Sequence, residues 1–439
     1  MRFFIAIACV VFLFSCKRSN PNYKAETSDA SFYRSAMKEV TDIMVYDIFS
    51  PPVASRIYSR CAIAGWEALV PGDSKLKSLS GQVIDLPKMP QPEMGMEYDF
   101  HIASTKAIIN TGRTLLFSED KMNAYEAELM KKYETIGVPA DVLKRSLAYG
   151  DSISAAIIKW TSKDNYKQSR TFPKFSVNTD QDRWKPTPPA YMDAVEPHWN
   201  KQRPLTLDSA AQFKPAPPTP YSSDKKSQFY KEAKDVMDVV DKKDSTYERI
   251  ASFWDCNPFI IHQQGHVMFA TKKISPGGHW INIASSVSKQ LNKSFEETAE
   301  ALALVSIGLY DGFITCWDEK YRSNLLRPET YINEQINPDW IPLLQTPPFP
   351  EYTSGHSVVS NVSAEILTSL FGDHIAYVDS TEVEYGLFAR PFTSFREAAN
   401  EACISRFYGG IHYMPAIRNG ADQGKKVAAN VLAKLKTRT

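Results

Sequence analysis

Three short stretches of this 439-residue chain carry residue types that chemistry needs. Lys320 and Arg327 stand seven positions apart in a pattern read as helical from Phe295 to Leu326. That spacing is two turns, so both cations fall on one face, and Pro328 stops or bends the helix there. Alone, such a pair describes a solvated face. The second stretch is Phe349-Pro350-Glu351-Tyr352-Thr353-Ser354-Gly355-His356-Ser357, followed by the apolar pattern Val358 to Phe371. Ser354 or Thr353 is a natural helix cap, and Gly355 lets a ligand come close to the backbone N–H. The free N–H groups and dipole of a helix start bind oxyanions. His356 then stands beside that anion as a general acid or base, although a capped helix with an incidental histidine reads equally well from this segment alone. In the third stretch Arg406 and His412, six apart around Gly409-Gly410, can bring a guanidinium and an imidazole to one centre.

Taken together the three blocks, Lys-x6-Arg-Pro, Ser-Gly-His and Ser-Arg-x5-His, resemble the signature shared by vanadium-dependent haloperoxidases and type 2 phosphatidic acid phosphatases. The chain is most similar to the soluble bacterial haloperoxidase branch. Trp317, the Phe-Pro-x-Tyr run and Pro276-Gly-Gly-His279-Trp280 extend the resemblance, which is sharp from Ala251 to Asn430 and looser back to Ser31. It implies that Lys320, Arg327 and Arg406 hold the non-bridging oxygens of vanadate or phosphate, with Ser354 and the Gly355 N–H completing the cradle. His412 would be bonded to vanadium, and His356 would be the acid–base group beside the apical oxygen, with Lys320 polarising bound peroxide. Trp317, Phe349 and Asp255 are weaker pocket candidates, Phe349 on the halide side and Asp255 or Asn257 supporting the cradle. Two positions depart from the pattern. Thr353 stands where Pro is common before Ser-Gly-His, and Ala416 stands where the phosphatase signature has the Asp that orients the second histidine.

Three readings follow from the resemblance. The first is a vanadate-dependent haloperoxidase acting on peroxide and halide. The second is a lipid-tethered acid phosphatase that cleaves phosphomonoesters through a phosphohistidine and needs no cofactor. The third is a non-catalytic oxyanion-binding lipoprotein. The Trp317 block, the long helical N-terminal half and Ala416 favour the first.

The elements that must position these residues read as all-α. Helical periodicity runs through Ser31 to Val70, Phe100 to Phe117, Lys121 to Ile136, Pro139 to Thr161, Ser227 to Val240, Thr246 to Trp254 and Ser294 onward. The expected architecture is a helical bundle crossed by a non-helical strap. Ten of the 28 prolines lie between Phe172 and Pro220, among Trp184, Tyr191, Trp199 and Phe213; a segment so rich in rings is expected to be pinned to the helices rather than disordered. Lys+Arg 51 against Asp+Glu 50 leaves a net charge of +1, so no global field draws in nucleic acid. Cys61, Cys256, Cys316 and Cys403 lack C-x-x-C spacing, which argues against a zinc or redox motif; they are expected to be buried free thiols, with a disulfide, in one of three pairings that an exported chain permits, as the alternative. His279 reads as a packing or pocket-wall residue, and the pair His262 and His266 as structural.

At the N-terminus Arg2 precedes the apolar run Phe3 to Phe14, too short for a bilayer span and read as an export signal. Leu13-Phe14-Ser15-Cys16 resembles a bacterial lipobox, which implies lipidation of Cys16 and a periplasmic, outer-membrane or cell-surface location. The expected organisation is a signal peptide at 1–15, a tether at 16–31, a helical region at 32–165, the strap at 166–225 and the catalytic helical region at 226–436.

Overall fold

The computed structural model describes residues 20–264, 267–270 and 272–439. The signal segment, Cys16 and His266 lie outside the described residues, and His262 is described in its backbone only.

The all-α expectation holds: among the described residues the only strands are two short hairpins, Ile261–Gln264 with Val267–Ala270 and Tyr377–Asp379 with Arg390–Phe392. The centre of the molecule is the helix Phe295–Ser323. A capping box starts it, the Ser294 hydroxyl accepting from Glu297 N while the Glu297 carboxylate accepts from Ser294 N. This helix is long and apolar enough to cross a membrane, but that stretch is buried inside the protein. It packs on Pro51–Leu69 from the N-terminal half and on Gly355–Phe371 from the C-terminal half. Two glycines allow the close approach around Gly355–Phe371. A Cβ on Gly308 of the central helix would stand 2.5 Å from Val362 Cγ1, and one on Gly424 of the last helix, Met414–Lys434, 2.2 Å from the Val358 carbonyl oxygen.

The Pro-rich stretch crosses the central helix and is fastened to it at several levels. Trp184 and Trp199 are fully buried. The buried Asp311 carboxylate accepts from Leu205 N at 2.7 Å, Thr206 N at 2.7 Å and Thr206 Oγ1 at 2.6 Å. Losing that acceptor would strand buried donors at about 1–3 kcal/mol each. Nearer the end of the helix, Trp317 Nε1 and the Tyr321 hydroxyl both donate to the Val195 carbonyl.

The structure differs from the sequence reading in two places. The central helix stops at Ser323, where Asn324 takes a left-handed φ of 48°. Arg327 is extended (φ −80°, ψ 155°), as a residue before proline tends to be, and Pro328 opens the helix Pro328–Gln335 rather than closing the previous one. Lys320 and Arg327 therefore do not share a helical stripe. From Asn20 onward, residues assigned to a tether are docked on the body. Tyr23–Thr27 is helical, Tyr23 and Thr27 are buried, and Asn20 N donates to the Gly137 carbonyl at 3.0 Å. All four described cysteines are buried free thiols.

Candidate active site

His412 sits in the turn between the helices Phe395–Tyr408 and Met414–Lys434, three per cent exposed. Arg327 Nη1 lies 3.2 Å from its Nε2, and Nδ1 lies 2.8 Å from Glu351 Oε1. A guanidinium only donates, so Nε2 is the acceptor and Nδ1 carries the proton given to Glu351. This tautomer is assigned from the partners, and it leaves the Nε2 lone pair facing the cations. Burial, then Arg327, Lys320 and Arg406, push the His412 imidazolium well below its ordinary range, so the ring is neutral. Glu351 also accepts from Tyr413 N at 2.9 Å, and burial raises its carboxyl to about 7.

Glu351 has no role in the reading of the sequence. The signal was there, because Ala416 left the second histidine without its expected acid, and an unexplained acid lay five residues before His356. The structure brings that acid to the ring from the other side of the site.

The Arg327 Nε donates to the Phe349 carbonyl at 2.9 Å and Nη1 to the Ile411 carbonyl at 2.8 Å, which leaves Nη2 buried without a partner. Arg406 Nη1 donates to the Trp254 carbonyl at 2.8 Å, while its Nε has no partner. Asp255 accepts from Lys273 at 2.8 Å and stands 4.0 Å from Arg406, so it partly balances that guanidinium. Ser354 caps Gly355–Phe371 by accepting from Ser357 N at 3.3 Å. A Cβ on Gly355 would meet only the Trp317 ring, at 3.6 Å, so glycine leaves open space where a ligand would come close. The His356 ring faces the Trp254 carbonyl, and its Nε2 is buried without a partner; burial and Arg406 hold the ring neutral.

Lys320 is placed differently from the expectation. Its Nζ donates to the carbonyls of Pro350 at 2.9 Å, Glu351 at 3.0 Å and Thr353 at 2.6 Å, which engages all three protons. It pins the loop that carries Glu351 and Ser354, and burial lowers its ammonium to about 7.

A narrow pocket opens on His356, Arg406 and His412, with Gly355, Trp317, Phe349, Phe313 and Asn257 among its walls. Trp317 and Phe349 pack ring to ring at 5.0 Å. The residues present fit vanadate. Arg327 Nη2 and Arg406 Nε are unused donors, His356 Nε2 is a free ring nitrogen, and the neutral His412 Nε2 lone pair, which accepts only the 3.2 Å contact from Arg327, would pass to a metal.

Residues 300–439 match the family described as the VCPO second helical-bundle domain. The chain is similar to the crystal structure titled as the first bacterial vanadium-dependent iodoperoxidase, with 46% identity and a TM-score of 0.89 over 93% of this chain and 97% of that one. Holo- and apo-type bacterial vanadium-dependent chloroperoxidase structures share the fold, each with a TM-score of 0.67 at 14% identity over 88% of this chain and 93% and 94% of theirs. No curated protein matches the chain. With a relative 46% identical along nearly its whole length, the chain belongs to the vanadium-dependent haloperoxidases, oxidoreductases whose cofactor is vanadate.

Proposed function

We propose that the enzyme oxidises iodide with hydrogen peroxide, vanadate being bonded by His412 and held by Arg327, Arg406, Ser354 and the Gly355 N–H, with the Lys320 charge acting from the loop it pins. The observation that carries this assignment of roles is the set of buried, unpartnered nitrogens on Arg327, Arg406 and His356 around a neutral His412. When bound, vanadate supplies a Lewis acid that activates peroxide. The chain's own part is positioning and proton handling. His356 Nε2 is the free base that takes a proton from entering peroxide and returns it to the departing oxygen, its ring facing the Trp254 carbonyl. Trp317, Phe349 and Phe313 exclude water and offer a polarisable wall to a large halide. The net reaction is I⁻ + H₂O₂ + H⁺ → HOI + H₂O. Iodide is supported by the 46% identical relative, a bacterial vanadium-dependent iodoperoxidase.

The test loads one aliquot with orthovanadate and gives it peroxide with iodide, bromide or chloride, while a metal-free aliquot receives a chromogenic phosphomonoester. Vanadate-dependent oxidation, fastest with iodide, is expected. Phosphate release without halide oxidation would establish the phosphatase reading instead. Glu351 can orient His412 for that chemistry too, so Ala416 does not by itself exclude it.

The Lys320 ammonium near 7 sets a pH dependence. An oxyanion beside it favours the charged form, so binding takes up a proton. Vanadate affinity is expected to fall by up to about tenfold per pH unit above about pH 7. Lys320→Arg, which keeps its charge, should lose the part of that slope beyond vanadate's own ionisation. Equal slopes in titrations of both proteins would remove Lys320 as the cause.

Cys16 is proposed as a lipid anchor holding the exported enzyme to a bacterial membrane, on the periplasmic or the cell-surface side. The Leu13-to-Cys16 pattern supports it, and so does the docking of the chain from Asn20 onward, which leaves a short link between lipid and body. Cys16→Ala should move the protein from the detergent-extracted to the aqueous fraction; unchanged partitioning would rule the anchor out.

A further inference from the structure

Cys256, on the wall of the pocket, has a second set of neighbours that the vanadate cradle does not use. Its Sγ lies 3.3 Å from His279 Nδ1 and 3.6 Å from Glu382 Oε1, and those two atoms are 3.0 Å apart. The three residues come from separate parts of the chain: the coil after Ser245–Phe253, the helix Pro276–Gln290 and the turn after Tyr377–Asp379. Each is at most one per cent exposed.

A zinc ion with ligand bonds of roughly 2.0–2.3 Å in a tetrahedron needs donor atoms roughly 3.3–3.6 Å apart, which these separations approach without rearrangement. The opposite ring nitrogen supplies the second observation. His279 Nε2 is 2.7 Å from Asp379 Oδ2, and the other oxygen of that carboxylate is fixed by Thr381 N at 2.9 Å. A metal-binding histidine characteristically gives its remaining N–H to such a carboxylate, which fixes the ring and the coordinating tautomer.

We propose that Cys256, His279 and Glu382 bind one divalent cation of the zinc class, with Asp379 orienting His279, at a site separate from the vanadate cradle. Thiolate, imidazole and carboxylate together suit zinc better than magnesium or calcium, and three protein ligands leave a fourth position for water. No spacing in the sequence announces the site, because the ligands are 23 and 103 positions apart along the chain.

The site ties residues 254–257 to the rest of the fold. In that segment the Trp254 carbonyl accepts from Arg406 and faces the His356 ring, and the Trp254 ring stacks on His279 at 4.6 Å. The cation therefore takes no part in halide oxidation; it fixes the wall that two cradle residues face.

The experiment measures bound metal on the vanadate-loaded protein purified without chelator. About one equivalent of zinc per chain is expected, and replacement by cobalt should give a thiolate-to-cobalt charge-transfer absorption. Cys256→Ser should lose that absorption, and Glu382→Gln should lose metal, with the fold checked by circular dichroism and vanadate content measured separately. Less than about a tenth of an equivalent in folded wild-type protein, or the same metal content in both variants, would overturn the site. Those residues would then form a metal-free clasp of protonated His279 between two carboxylates. Vanadate content stays a separate readout, so failure here leaves the haloperoxidase assignment standing.

Discussion

Replacing His412 with alanine is expected to reduce vanadate-dependent halide oxidation to background, a larger loss than the roughly 10²–10³ that removing one oxyanion donor typically causes. The argument rests on what the ring alone supplies. Arg327 and Arg406 can neutralise an anion without His412, but a guanidinium has no lone pair for a metal, whereas His412 Nε2 has one and is kept unprotonated by the cations around it. The variant should bind vanadate no better than it binds phosphate, as a plain anion. A direct measure is the vanadate left on the protein after desalting, together with the thermal midpoint with and without vanadate. At a vanadate concentration of 100 times Kd, binding stabilises the wild type by about 2.7 kcal/mol, and most of that shift should vanish. Arg406→Ala should weaken binding less, because the metal bond survives. If His412→Ala keeps more than about a tenth of wild-type activity, well outside the range for even a single lost donor, another residue bonds the metal.

Much of this site was legible in the chain because its residues come as local blocks. Ser354 to His356 form a helix start, and a cap, a glycine and a histidine announce that at short range. Lys320 and Arg327 were paired for a geometrical reason that the fold does not keep. Two turns of one helix would align them, but Asn324 ends the helix and Pro328 holds Arg327 extended, so Arg327 comes to His412 from a connection. The bundle was legible from its periodicity, and the strap from its prolines and rings. Its anchor was not: Asp311 read as an interruption of an apolar run, whereas it is the carboxylate that holds Leu205 and Thr206. Glu351 and the Cys256 cluster share the same obstacle. Each contact joins positions far apart in sequence, and a single chain read along its length does not show which distant side chains meet.

Glu351 carries the second large effect. Glu351→Leu removes the acceptor for Nδ1–H and strands the buried Tyr413 N–H, so the ring is free to turn or to move its proton to Nε2, where it would block the metal. Outer-shell partners of metal-bound histidines are worth about 10–100-fold in metal affinity or activity, and a loss in that range is expected for vanadate. A structural defect would also lower activity, so the separating measurement is the pH profile of vanadate affinity. The Glu351 carboxyl is raised to about 7 by burial. Below that value it is protonated and gives up the negative charge that makes it a strong acceptor, so wild-type affinity should decline as pH falls through about 7. Lys320 causes the decline on the alkaline side, so the profile is highest near neutrality. Glu351→Gln has the shape of the native residue but no charge at any pH. Its affinity should be lower at pH 7 and flat on the acid side, while the alkaline decline remains. An acid decline that persists in Glu351→Gln would assign it to another group, leaving Glu351 as packing beneath His412.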